Sequence, residues 1–160
     1  MKTVTQFAFA LALTFGAIFS ANPSQAHEIK LGDLVIHHPW IKQPPGNATV
    51  AGGYTKIDNK GKEDDTLLSV AVEGVHTVMI HEMKMEGDVM KMNELKDGLN
   101  IPAGKSVELK PKSYHLMLMG LKSAYMEGEQ VKGTFTFAKA GKVDVDFEVV
   151  APGVDMPMKH

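Results

Sequence analysis

Histidine and methionine recur at alternate positions in two segments of this chain. His81 and Met83 are two residues apart, and so are His115 and Met117. On a β-strand, side chains two apart point to the same face and lie roughly 7 Å apart at Cα. Each pair would therefore present an imidazole nitrogen and a thioether sulfur side by side.

A thioether sulfur is a soft, uncharged donor that selects Cu(I) over zinc, magnesium or calcium. Two such pairs would give one ion four donors without a thiolate. The alternative is ordinary packing, because methionine often fills irregular gaps in a protein core. The chain already has many valine, leucine, isoleucine and phenylalanine residues to fill a core. Two His-x-Met pairs in such a chain therefore favour the copper site over core packing.

The composition narrows the class of protein further. The 160 residues include 11 methionines and 7 histidines but no cysteine. This excludes disulfides, thiolate zinc sites, a cysteine nucleophile, a lipid-bearing cysteine and a blue-copper site. The formal net charge of −2 argues against nucleic-acid binding. No Ser-His-Asp or paired-carboxylate pattern stands out, so a binding protein is expected rather than an enzyme.

The N-terminus has the pattern of a secretory signal peptide. Lys2 precedes an apolar run from Phe7 to Phe19, and Ser24 and Ala26 fit a small-residue cleavage site. We predict a signal peptide over residues 1–26, cleaved after Ala26, and export to a bacterial periplasm. No later segment is apolar for long enough to predict insertion in a membrane.

The rest of the chain is a succession of short β segments separated by turn residues. The clearest hairpin joins Gln130–Phe137 to Lys142–Val150, where apolar and polar residues alternate. This pattern predicts a single all-β domain over residues 27–151, a sandwich or a barrel. Residues 152–160 are predicted to form a flexible tail.

Several residues are spaced as in the copper motif of the PCuAC periplasmic copper chaperones. That motif is a His, a Met about ten residues on, and a His-x-Met some twenty residues later. Here ten residues separate His81 from Met92, and 22 separate Met92 from His115. The segments 35–40, 101–104 and 114–121 also resemble this family, so the resemblance covers nearly the whole chain after residue 26.

This resemblance implies a cupredoxin-like or immunoglobulin-like Greek-key β-sandwich with an accessible Cu(I) site. The implied ligands are His81, Met92, His115 and Met117, and Met90 could take the place of Met92. The implied role is delivery of copper to the binuclear copper centre of cytochrome c oxidase. The partners would be the copper subunit of the oxidase, a Sco-type copper protein, or both, and we expect a monomer.

Other residues could bind additional copper. His27 would become the N-terminal residue after cleavage and could chelate Cu(II), unless that terminus is simply frayed. Met83 and Met90 are spare soft donors, and the tail carries Met156, Met158 and His160. These residues leave open a copper store or resistance protein, a copper enzyme that uses His27, and a scavenger in which methionines react with oxidants.

Overall fold

The computed structural model describes residues 28–156, and every regular element in that range is a β-strand. In chain order the strands are β1 Glu28–Leu31, β2 Leu34–Lys42, β3 Val50–Asn59, β4 Asp65–Val72, β5 Val75–Glu86, β6 Val89–Glu94, β7 Leu99–Ile101, β8 Ser106–Leu109, β9 His115–Leu121, β10 Gln130–Phe137 and β11 Gly141–Val150. Over the described range, no helix could cross a membrane. The all-β prediction is confirmed.

The strands are hydrogen-bonded in the order β6-β5-β9-β3-β2-β11-β10-β4-β7, with β1 paired to β2 and β8 to β3. All of these pairs are antiparallel except β2 with β11. Strands β4 and β5 lie near opposite ends of this order, yet they contact each other across the turn at Glu73 and Gly74. The sheet therefore folds over on itself and encloses a core.

Alternation along β5 and β9 decides which side chains enter that core. Ile80, Leu116 and Leu118 are buried in one cluster with Phe135 and Phe147 from the far side of the fold. Burying each such side chain contributes about 1.5–3 kcal/mol to stability. Because successive residues of a strand face opposite ways, the histidines and methionines between these positions lie on the outer face.

A two-residue turn sets the register between β5 and β6. Gly87 and Asp88 form the turn, and Gly87 has φ of 64°, a conformation that glycine adopts without steric cost. Glu86 therefore lies opposite Val89, and the residues before and after follow in antiparallel order. Strand β6 is the terminal strand of the hydrogen-bonded order, so its outer edge faces away from the sheet.

Candidate metal centre

The two histidines of the predicted site lie directly opposite each other on β5 and β9. His81 pairs with His115 in the strand register. Their ring centroids are 5.6 Å apart, and the ring planes meet at 89°. Two nitrogen donors are thus adjacent on the outer face.

His115 is buried, and one of its ring nitrogens has a protein partner. Its Nδ1 lies 3.0 Å from the carbonyl oxygen of Ser113. A carbonyl oxygen can only accept a hydrogen bond, so Nδ1 carries the proton in this pair. That tautomer leaves the lone pair of Nε2 available to a metal ion.

His81 differs because its Nδ1 is buried without a hydrogen-bond partner. Burial lowers the pKa of His81, the neighbouring His115 lowers it further, and Glu94 acts in the opposite direction. The neutral imidazole that results is the form that binds metals. A buried nitrogen without a partner costs about 1–3 kcal/mol, and a soft metal ion at this point would remove that cost. The residues therefore fit a copper ion.

Two thioethers lie in the row next to the histidine pair. Met117 on β9 is directly opposite Met79 on β5, two residues along each strand from His115 and His81. Met79 was not among the predicted ligands. Its spacing of two from His81 placed it on the correct face, but only the register between β5 and β9 brings it opposite Met117.

Met92 lies on the other side of His81, on β6. It is directly opposite Met83, while the neighbouring position Glu94 is opposite His81 itself. Met90 lies one row further away, opposite Met85. Of the two alternatives for the fourth ligand, Met92 is thus nearer to His81 than Met90.

The tail methionine within the described range lies elsewhere on the outer face. Met156 packs against Trp40, Tyr54 and Val150. Next to it, Lys42 Nζ lies 3.0 Å from Asp155 Oδ1. The remaining predicted ligands, His27, Met158 and His160, lie outside the described residues.

The cluster of Trp40, Tyr54 and Val150 adjoins the metal site at Gly52. A Cβ added to Gly52 would lie 2.5 Å from the Tyr54 hydroxyl oxygen, and Gly52 is directly opposite Met117. The absence of a side chain at Gly52 therefore leaves room for the Tyr54 ring beside Met117.

Sequence comparisons place the chain in a known family. The LpqE-like family model matches residues 34–149. A curated protein of Leifsonia xyli subsp. xyli, named "Putative lipoprotein Lxx21020", is 27% identical over 138 residues, which are 86% of this chain and 82% of that protein. The 160 residues of this chain include no cysteine.

Solved structures of copper-binding domains share the fold. The apo PCuAC domain from PmoF1 has a TM-score of 0.68 and 28% identity, covering 79% of this chain and 100% of that domain. The copper-bound PCuAC domain from PmoF2 has a TM-score of 0.68 and 27% identity, covering 79% and 99%. Cu(I)-loaded DR1885 from Deinococcus radiodurans, at 22% identity and a TM-score of 0.61, covers 79% of this chain and 83% of that chain.

These matches confirm both the predicted cupredoxin-like fold and the predicted family. The family model spans well over half of the chain, and the matched structures are PCuAC domains over nearly their full length. The chain therefore belongs to the LpqE-like, PCuAC-type family and is homologous to PCuAC copper-binding domains.

Proposed function

We propose that this protein is an exported copper chaperone that holds one Cu(I) at the histidine pair and passes it to another protein. The observation that carries the proposal is the adjacency of His81 and His115, with an unpartnered imidazole nitrogen and thioethers in the neighbouring rows. The proposed ligands are His81, His115, Met117 and Met92. Their mixture of imidazole and thioether donors suits Cu(I).

The chemistry of these donors suits a carrier. All four are neutral, so the ion would be held less firmly than by thiolates. Met92 is exposed on a terminal strand, which lets donor atoms of a partner approach from that side. Transfer would proceed by ligand exchange, with the chaperone's ligands leaving one at a time.

The acceptor we propose is the copper subunit of cytochrome c oxidase, reached directly or together with a Sco-type copper protein. The family resemblance supports this choice. Export to the periplasm is supported by the signal-peptide pattern of residues 1–26 and by the lipoprotein name of the Leifsonia relative. We expect the protein to act as a monomer, without enzymatic activity of its own.

A copper store is the second candidate, and one observation favours it. Met83, Met85 and Met90 are further soft donors close to the proposed site. A store would bind several ions with similar affinity, whereas a chaperone would hold one ion far more tightly than any other. Stoichiometry and relative affinity therefore distinguish the two functions.

The test is an anaerobic Cu(I) titration of the chain expressed from His27, with ascorbate as reductant and bicinchoninate as competing chelator. We expect one tightly bound equivalent, lost in the His115→Ala/Met117→Ala variant. Met126→Leu, which removes an exposed sulfur between β9 and β10, is the matched control and should keep that equivalent. Tight binding that survives the double substitution would reject the proposed site.

Transfer is tested next by mixing the loaded protein with a purified oxidase copper domain. Copper should move to that domain and produce its characteristic absorption after oxidation. Retention of all copper by this protein, with or without a Sco-type partner, would contradict a chaperone for the oxidase.

A further inference from the structure

The β5–β6 hairpin carries four methionines on one face, beyond the histidine pair. Met83 is directly opposite Met92, and Met85 is directly opposite Met90. In such pairs the Cβ atoms lie about 4.5–5.5 Å apart, and successive rows on one face lie about 7 Å apart. The four thioethers therefore share one small patch.

Core packing does not account for these methionines. Met85, Met90 and Met92 are 55%, 42% and 47% exposed. The opposite face of the hairpin carries charged residues, among them the directly opposed Lys84 and Lys91. Since that face is also exposed, this part of the hairpin has no buried side, and a cluster of exposed methionines indicates a binding surface.

We propose that Met83, Met85 and Met90 form a second, sulfur-only Cu(I) site, directly beside Met92 of the histidine site. Thioethers are soft and uncharged, which selects a soft monovalent cation over hard divalent ones. Methionine side chains are unbranched and flexible, so sulfurs on neighbouring strands can converge on one ion. Without an imidazole donor, this site holds copper more weakly than the histidine pair does.

The placement gives this second site a role in copper movement. Met83 follows His81 along β5, and Met92 lies opposite Met83, so sulfur donors run without a gap from the exposed turn to the histidine pair. Copper captured near the turn would pass inward by exchange of one neutral ligand for another. The ion remains Cu(I) throughout, so no electron or proton is transferred. This role rests on the proposed function, because the cargo is the same ion.

The experiment separates the two sites with leucine substitutions, which remove sulfur at nearly constant volume. Met85→Leu/Met90→Leu changes only the hairpin, and Met126→Leu again serves as the control for an exposed methionine elsewhere. His81→Ala/His115→Ala removes the nitrogen donors of the first site. Each protein is titrated anaerobically with Cu(I) against bicinchoninate, and X-ray absorption identifies the donor atoms of bound copper.

We expect the unsubstituted protein and Met126→Leu to bind two equivalents, the second at least about tenfold more weakly. Met85→Leu/Met90→Leu should keep only the tight equivalent. The double-histidine variant should keep only the weak one, with sulfur alone around the copper. A single equivalent in the unsubstituted protein, or a weak equivalent that survives in Met85→Leu/Met90→Leu, would overturn the hairpin site. A tight equivalent that survives in the double-histidine variant would instead overturn the histidine site, so the two failures are distinguishable.

Discussion

His81 and His115 face each other across β5 and β9 with ring centroids 5.6 Å apart, yet only one of them has a hydrogen-bond partner for its Nδ1. The Nδ1 of His115 is held by the carbonyl of Ser113, whereas the Nδ1 of His81 is buried and unpartnered. In the metal-free protein, the two histidines should therefore contribute differently to stability.

The first prediction compares His81→Leu with His115→Leu in the metal-free state. Removing the unpartnered nitrogen of His81 should leave the free energy of unfolding unchanged or raise it by about 1 kcal/mol. Removing His115 should lower it by about 1 kcal/mol, because the hydrogen bond from His115 Nδ1 to the Ser113 carbonyl is lost, while the Met83 N–H still donates to that carbonyl. Urea unfolding measures both. Equal destabilisation by the two substitutions would contradict the interpretation that His81 lowers the stability of the metal-free protein and is retained because it binds copper.

The second prediction concerns Met79, which lies directly opposite Met117. If Met79 joins or supports the copper site, Met79→Leu should lower Cu(I) affinity by roughly tenfold, as is typical for loss of a supporting group. Met119→Leu is the matched control, because Met119 shares that face but pairs with Thr77 one row further from the histidines. Competition with a Cu(I) chelator measures the affinities, and identical values for both variants would leave Met79 as a packing residue.

The strand pairing of Met92 could be predicted from the sequence, whereas that of Met79 could not. Alternation of apolar and polar residues correctly assigned the faces of β5 and β9, because a strand has a period of two. The Met83–Met92 pairing follows from a local two-residue turn at Gly87 and Asp88. The pairing of Met79 with Met117 instead joins strands separated by three intervening strands, and no turn signal specifies that register.

The position of Met156 was unpredictable for a related reason. Met156, Met158 and His160 stand at alternate positions, but that spacing does not tell which surface of the protein the tail contacts. Its packing against Trp40 and Tyr54 depends on a surface assembled from β2, β3 and β11. Contacts of this kind arise only after the strands have associated.

The third prediction uses Trp40, the only tryptophan of the chain and only 1% exposed. Met156 packs against its cluster, so Met156→Ala should admit water to the indole. We expect a red shift of fluorescence emission, stronger quenching by iodide and a loss of about 1 kcal/mol of stability. Met126→Ala should change none of these. An unchanged emission spectrum in Met156→Ala would show that the tail does not cover Trp40 in solution.

The fourth prediction concerns Asp58, a buried carboxylate that accepts hydrogen bonds from Ser106 Oγ at 2.6 Å and His37 Nε2 at 3.1 Å and pairs with Lys60 at 3.0 Å. Burial alone would raise the pKa of Asp58, but these bonds and the charge of Lys56 outweigh it and hold the pKa well below its usual range. The stabilisation of the folded state by ionised Asp58 is therefore complete above the unfolded pKa of about 3.9 and is lost as the pH falls below it.

Asp58→Asn should lower the free energy of unfolding by about 2 kcal/mol at pH 7 and by much less at pH 2. Asp146→Asn, on the exposed face of β11, is the control. Urea unfolding at pH 2 and pH 7 measures the free energy of unfolding of each protein. An equal loss of stability for Asp58→Asn at both pH values would contradict the prediction.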